Sequence, residues 1–222
     1  MARPSKPKLS TTSIADAALK LVDAHGEFTL PLLAKELSVS ASSLYNHVQG
    51  KAEIIELMRG RAMAQIQLPN LQQVTWQEAV EAIATEYWTS YSKHPRLIPL
   101  LTSHTVRDST TLRVYDALAE AFALAGFEPK RRLQAITIID SFVLGSALDA
   151  AAPEVVWESG PESSHYFKEA LEADLADSNR SRATFELGLS MLLASFAQQS
   201  SASTFKERKT GLAVTCSRSK SR

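Results

Sequence analysis

The chain has 222 residues, of which 45% are hydrophobic and 22% charged, and its 24 basic side chains balance its 24 acidic ones. This composition is typical of a globular protein and excludes a general polycation that binds nucleic acid by charge alone. The length allows one small domain and one larger domain.

Apolar residues recur at helical spacing along almost the whole chain, and no run shows the alternation of a strand. The predicted helices of the N-terminal part are residues 11–25, 29–37, 41–48 and 51–67. Gly26 ends the first helix, because glycine commonly follows a helix C-terminus. Thr29 and Ser40 are predicted side-chain N-caps of the second and third helices. We therefore expect an all-α fold.

After Pro69 the predicted helices are longer and end near proline or glycine. They comprise residues 76–93, 96–104, 110–125, 130–151, 165–176 and 182–199. Residues 200–222 are rich in serine, lysine and arginine, and we expect them to be disordered.

The second and third helices, joined by a short turn, are predicted to form a helix-turn-helix. Leu44 and Val48, four residues apart, would hold the third helix to the first two, while its other side stays polar. That polar side consists of Ser40, Ser42, Ser43, Asn46 and His47. A short helix with one exposed polar side can lie in the major groove of DNA.

Charge is distributed unevenly along the chain. Residues 67–199 carry 10 basic and 17 acidic side chains, whereas residues 200–222 carry 6 and 1. Residues 1–66 carry 8 and 6, with Arg3, Lys6 and Lys8 close together. Basic ends and an acidic middle suit a protein that contacts phosphate at one end and holds its body away from it.

Two segments carry a family resemblance, Ala34-Lys35-Glu36-Leu37-Ser38-Val39-Ser40 and Leu44-Tyr45-Asn46-His47-Val48-Gln49-Gly50-Lys51. Their order and spacing resemble the DNA-binding region of the tetracycline-repressor (TetR) family over about residues 10–60. The number and lengths of the remaining helices agree with the ligand-binding and dimerisation domain of that family.

The resemblance implies a domain organisation. It consists of a basic flexible arm (1–9), a three-helix DNA-binding domain (10–50), a connecting helix (51–67), a C-terminal ligand-binding and dimerisation domain (68–199) and a disordered tail (200–222). The function implied is that of a ligand-responsive DNA-binding regulator, most often a repressor released from its operator by a small molecule.

The resemblance also implies DNA contacts. Thr29, Tyr45, His47 and Lys51 would meet the phosphate backbone, and Ser42, Ser43 and Asn46 would face base edges, where asparagine suits adenine. Ser40 would lie at the N-terminus of the reading helix. Pro31 stands where the tetracycline-type repressors carry a base-reading arginine, so their operator cannot be copied to this chain.

Each of these contacts has a structural alternative. Tyr45 can pack its ring against the first helix, and His47 can be an ordinary surface histidine. The basic arm and the tail can be solvated, flexible ends without a DNA role.

The predicted effector pocket lies among C-terminal helices and is amphipathic. Its candidate residues are Met58, Trp88, Tyr91, His104, Arg107, Tyr115 and Phe142. His104 and Arg107 are the favoured polar members, because polar groups on a buried stretch need partners. Aromatic and methionine side chains at helical spacing can equally belong to the plain core. The grouping that would hold a magnesium–tetracycline complex is not reproduced.

A homodimer is predicted from the apolar surfaces of residues 130–151 and 182–199. Two helices from each subunit would form a four-helix interface, and a two-fold axis would place two reading helices about one DNA turn apart on a palindromic operator. We expect a ligand to change that spacing, with residues 51–67 transmitting the change.

Other classes of protein find little support in the sequence. The histidines show no metal-ligand spacing and Cys216 is isolated, so neither a metal nor another cofactor is predicted. The longest apolar stretch contains Asp140 and Asp149, no export signal is evident, and we expect a cytoplasmic protein without a membrane span. The alternatives left open are a helical ligand-binding protein and a helical enzyme, although no catalytic motif supports the enzyme.

Overall fold

The structure is a computed structural model that describes residues 9–153, 155–174 and 179–217, with side chains described up to Gln199 apart from Asp174. Its helices are α1 Thr11–His25, α2 Leu30–Glu36, α3 Ala41–Tyr45, α4 Lys51–Met63, α5 Trp76–Tyr91, a 3-10 turn Pro95–Leu97, α6 Ile98–Leu101, α7 Ser109–Leu124, α8 Pro129–Asp149, α9 His165–Asp174 and α10 Arg180–Ser217. Within these ranges there is no strand, and the predicted all-α class is confirmed. No helix in the same ranges combines the length and apolarity needed to cross a bilayer.

Side-chain caps fix the ends of the first helices. The Ser10 hydroxyl accepts from Ser13 N–H at 3.1 Å, and the Ser13 hydroxyl accepts from Ser10 N–H at 2.9 Å, which forms a capping box for α1. Gly26 ends α1 with a φ of 80°, a left-handed conformation that glycine adopts without cost. Thr29 and Ser40 cap α2 and α3 as predicted.

The turn between α2 and α3 depends on Ser38, the only described non-glycine residue with a positive φ, at 54°. Ser38 N–H donates to Lys35 O and Val39 N–H donates to Ala34 O, both at 3.0 Å. This pair of bonds is the Schellman arrangement, which satisfies the last carbonyl groups of α2. The turn therefore places α3 at a fixed angle to α2 with only four residues between them.

The chain forms two compact units. The first contains residues 1–67 and 85–115, so the second half of α5, α6 and the start of α7 accompany the first four helices. Its apolar core includes Ile14, Val22, Phe28, Leu33, Leu44, Ile54 and Met58, each at most 1% exposed.

The second unit contains residues 68–84 and 116–222. Trp76, Phe122, Phe127 and Phe196 form an aromatic cluster there, with ring centroids 5.3–6.4 Å apart. The ring of Phe142 on α8 stacks on Phe185 of α10 at 5.5 Å.

Several helix ends differ from the prediction. α3 ends at Tyr45 rather than at residue 48, because Leu44 O accepts from both His47 N–H and Val48 N–H in a tightened last turn. α4 and α5 also end earlier, and the predicted helix 96–104 is a 3-10 turn followed by a single turn of α-helix.

The expected disorder from residue 200 is not what the structure shows, since α10 continues to Ser217. Residues 200–217 contain no proline and one glycine, so no residue in them forces a helix to end. The arm residues Arg3, Lys6 and Lys8, residues 175–178 and residues 218–222 lie outside the described part of the chain.

Candidate nucleic-acid interface

The exposed side of α3 is polar and its inner side is anchored in the core of the first unit. Leu44 is 1% exposed and Val48 is 2% exposed, so the anchoring pair is buried as predicted. Ser42, Asn46 and His47 are exposed, and Tyr45 is 57% exposed. Tyr45 therefore does not bury its ring against α1, which was the structural alternative for this residue.

Three serine hydroxyls meet at the N-terminus of α3. Ser40 Oγ accepts from Ser43 N–H at 3.2 Å and lies 2.8 Å from the hydroxyl oxygens of both Ser42 and Ser43. Ser43 is half-buried, whereas Ser40 and Ser42 are exposed. This cluster fixes the first turn of α3 and leaves the Ser42 hydroxyl accessible as a hydrogen-bonding group.

Thr29 and Lys51 lie at the starts of α2 and α4, and both are exposed. The Thr29 hydroxyl accepts from Leu32 N–H at 3.3 Å. The Lys51 ammonium lies 5.2 Å from the ring centroid of Phe28, a cation–π contact that holds the charge near the surface of this unit. Both helix starts thus present groups that can meet phosphate oxygens.

A salt bridge joins α1 to α2. Lys20 Nζ lies 2.6 Å from Glu36 Oε1, and the hydrogen bond and charge of Lys20 hold the pKa of Glu36 below its ordinary value. Arg61 of α4 contacts Asp16 of α1 at 2.5 Å. Both pairs are exposed and add little to stability, but they link α1 to α2 and to α4.

The predicted effector residues occupy unlike environments. Met58 and Tyr91 are fully buried, whereas Trp88, His104, Tyr115 and Phe142 are half-buried. His104 Nδ1 lies 2.8 Å from Leu100 O, so its ring has a local partner. The side chain of Arg107 is exposed, so the argument that it is a polar group in need of a buried partner does not hold. Phe142 stacks on Phe185 in the second unit.

Sequence reasoning missed a buried polar network between α4 and residues 101–108. The guanidinium of Arg59, a residue only 5% exposed, donates to Glu56 Oε1 at 2.9 Å, to Leu101 O at 3.1 Å and to His104 O at 3.2 Å. Glu56 Oε2 accepts from Arg107 N–H at 2.6 Å and from Asp108 N–H at 3.0 Å. The signal in the sequence was an arginine amid the apolar residues of α4.

Burial opposes the ionisation of Glu56, but hydrogen bonds from Arg107 N–H, Arg59 and Asp108 N–H outweigh it and hold the pKa of Glu56 below its ordinary value. Gly60 lies next to Asp108, whose carboxylate accepts from Thr111 N–H at 2.7 Å and so begins α7. The network fixes the position of α4 against the end of α6 and the start of α7.

An open groove of 710 Å³ lies in the first unit between α1, α4 and α5. Leu19, Ala62 and Ile66 contribute apolar surface, and Lys20, Glu86 and Lys93 are among the charged lining residues. This groove could not be predicted from the sequence, because its lining residues come from three separated segments.

Comparison with known proteins relates the chain to one family of regulators. The family model described as "Tetracyclin repressor-like, C-terminal domain" matches residues 68–199. The helix-turn-helix-type transcriptional repressor DrrR1 of Streptomyces coeruleorubidus is 30% identical over 151 residues, which cover 65% of this chain and 56% of that protein. This chain therefore matches little more than half the length of that relative.

A helix-turn-helix-type transcriptional regulator of Saccharopolyspora erythraea is 27% identical over 208 residues, covering 87% of this chain and 86% of that protein. The crystal structure of ligand-free ActR from Streptomyces coelicolor superposes with a TM-score of 0.73 at 20% identity, covering 89% of this chain and 99% of ActR. At that identity the similarity concerns the fold. The family model covers more than half of the residues, and the chain therefore belongs to the tetracycline-repressor-like (TetR) family of transcriptional regulators.

Proposed function

We propose that this protein is a cytoplasmic, homodimeric repressor that leaves its operator when a small molecule binds. The observation that carries the proposal is α3, a short helix with a buried Leu44 behind it and exposed Ser42, Tyr45 and Asn46 in front. A helix of this kind fits the major groove of DNA. Relatives named as helix-turn-helix-type regulators support the same assignment.

The exposed residues have distinct roles in this proposal. Ser42 and Asn46 read base edges, Asn46 by paired hydrogen bonds of the kind that suit adenine. Tyr45, His47, Lys51 and Thr29 contact phosphates and fix the register of the protein on the duplex. Ser40 and Ser43 hold the first turn of α3 through their mutual hydrogen bonds.

Dimerisation would use α8 and α10. These helices expose large apolar side chains at Leu133, Ile138, Leu148, Leu187 and Met191, of which Leu133 is 67% and Met191 is 62% exposed. Water-exposed apolar residues on two helices favour burial against a second copy. A two-fold arrangement of these helices buries the same patch on both subunits and presents two copies of α3 to a palindromic operator.

The effector in this proposal is a small molecule bound by the helices that follow α4. ActR has been crystallised in complex with actinorhodin, an example of a protein of this fold with a small-molecule ligand. The network of Arg59 and Glu56 supports α4 as the element that transmits the signal, because it ties α4 to residues 101–108. A ligand that displaces those residues would move α4 and shift the dimer toward a form that does not fit the operator.

The test is a fluorescence anisotropy titration with the DNA upstream of the protein's own gene. We expect tight binding by the wild type that weakens steeply with added salt. Ser42→Ala combined with Asn46→Ala should abolish the preference for operator over random DNA, while Arg113→Ala, an exposed arginine of α7, should leave it unchanged. Unaltered binding after Tyr45→Ala and Lys51→Ala together would contradict the assigned phosphate contacts.

A further inference from the structure

The C-terminal end of α1 is held by two side chains from the segment that follows α5. Arg96 Nη1 donates to Asp23 O at 3.0 Å and to Ala24 O at 2.6 Å. His94 Nδ1 donates to Asp23 Oδ2 at 2.8 Å. We call this set of contacts, made by His94 and Arg96 with Asp23 and Ala24, the α1 clamp.

The two carbonyl groups in the α1 clamp lie in the last turn of α1, where the helix supplies no partner for them. Gly26 N–H satisfies Val22 O, so the next two carbonyls are those that Arg96 reaches. A cation at a helix C-terminus also interacts favourably with the helix dipole. The clamp is thus a charge-assisted C-cap supplied from a distant part of the chain.

The α1 clamp lies at the groove of 710 Å³, so it can affect the orientation of α1 as well as cap its end. Asp16, Lys20 and Asp23 of α1 and Glu86, Thr89 and Ser90 of α5 line the groove. The clamp residue His94 also lines the groove, at the point where the segment after α5 reaches α1. Along the groove, α1 has open space instead of packed side chains on the side that faces α5.

α1 also packs on α4 and, through its buried residues, belongs to the same core as Leu33 and Leu44. A rotation of α1 therefore moves α2 and α3 with it. Tight apolar packing makes these helices one body, whereas the side-chain hydrogen bonds of His94 and Arg96 to α1 are polar and can be removed singly.

We propose that His94 and Arg96 are positioning residues for DNA binding, which set the orientation of α1, and with it that of α3, against α5. This inference depends on the proposed function, because it concerns how α3 is presented to an operator. In a dimer, loss of the α1 clamp would let α1, and α3 with it, tilt toward the 710 Å³ groove of its own subunit. The dimer would then bind its operator less tightly and would discriminate less between half-site spacings.

The experiment compares wild type, Arg96→Gln, His94→Gln and the control Arg113→Gln on three kinds of DNA. These are the operator, operators with one base pair inserted or removed between the half-sites, and a single half-site. We expect Arg96→Gln to weaken binding to the operator by about tenfold, the size expected for lost charge-assisted hydrogen bonds. Binding to the half-site should stay within about twofold of wild type. The preference in affinity for the native spacing over the altered spacings should fall.

Equal losses on all three DNAs would overturn the proposal, because they would indicate a direct DNA contact or a local folding defect. Wild-type affinity and spacing preference in both clamp variants would overturn it as well. If Arg96→Gln does not fold, His94→Gln and Arg96→Lys replace it in the same experiment. Each of them loses one hydrogen bond of the α1 clamp instead of two. Absence of operator binding by the wild type would refute the proposed function itself.

Discussion

Replacing Gly60 by alanine should destabilise the protein, although alanine is the better helix former. A β-carbon at position 60 would lie 2.6 Å from the Asp108 carboxyl carbon, too close for any real contact. The carboxylate would have to move away from α4. In doing so it would loosen its bonds to Thr111 N–H and Thr111 Oγ1, which are 2.7 and 2.9 Å long.

The magnitude follows from two opposing effects. Alanine in a helix interior is favoured over glycine by about 1 kcal/mol. Loss of a side-chain N-cap costs about 1–2 kcal/mol, and a carboxylate left partly buried without its partners costs about 1–3 kcal/mol more. We expect Gly60→Ala to lower the free energy of unfolding by about 1–4 kcal/mol, a fall in Tm of roughly 2–16 °C for a chain of this size.

A double-mutant cycle with Asp108→Ala isolates the cause. Without the carboxylate the new β-carbon has room, so Gly60→Ala should then stabilise the protein by about 1 kcal/mol. The assay is urea unfolding followed by circular dichroism at one fixed protomer concentration, since dimerisation affects apparent stability. An equal effect of Gly60→Ala in both backgrounds would exclude the Asp108 carboxylate as the cause.

Three further predictions concern the turn, the network and the dimer. Ser38→Gly should raise the free energy of unfolding by about 1 kcal/mol, because a φ of 54° is strained for serine and free for glycine, and thermal melts would detect this. Glu56 has a lowered pKa, so its contribution is present above the ordinary value of 4.5 and is lost as pH falls through the lower folded value. The stability of the wild type should therefore fall more steeply below about pH 4.5 than that of Glu56→Gln in acid unfolding curves. Leu187→Lys with Met191→Lys should convert a dimer to monomer in analytical ultracentrifugation, whereas an unchanged mass would exclude α10 from the interface.

The N-terminal helices could be predicted well because their signals are local. Gly26 and the caps Thr29 and Ser40 each act within three or four residues, and the structure has α1 at the predicted bounds. Leu44 and Val48 could be assigned to the core from their spacing alone. The family resemblance rested on the same segment.

The Arg59 network and the α1 clamp could not be predicted, because they depend on contacts between residues that are distant in the sequence. Arg59 meets carbonyl groups 42 and 45 residues away, and Arg96 meets carbonyl groups 73 and 72 residues away. No periodicity in the sequence encodes such pairs. For the same reason the exposure of Arg107 could not be predicted. It depends on how residues 101–108 pass over α4, where Arg107 N–H donates to Glu56 Oε2.

The central claim, that α3 enters the DNA groove, can be tested by cleavage of DNA from the helix itself. Cys216 is the only cysteine in the chain, so a Cys216→Ser background allows an iron chelate to be attached at Ser42→Cys, with Leu124→Cys of α7 as the control. If α3 lies in the groove, the chelate at position 42 should cut the operator at two sites about one helical turn, roughly 10 base pairs, apart, and the control should not cut it. Bound DNA that is left uncut by the chelate at position 42, or cut equally well from position 124, would contradict it.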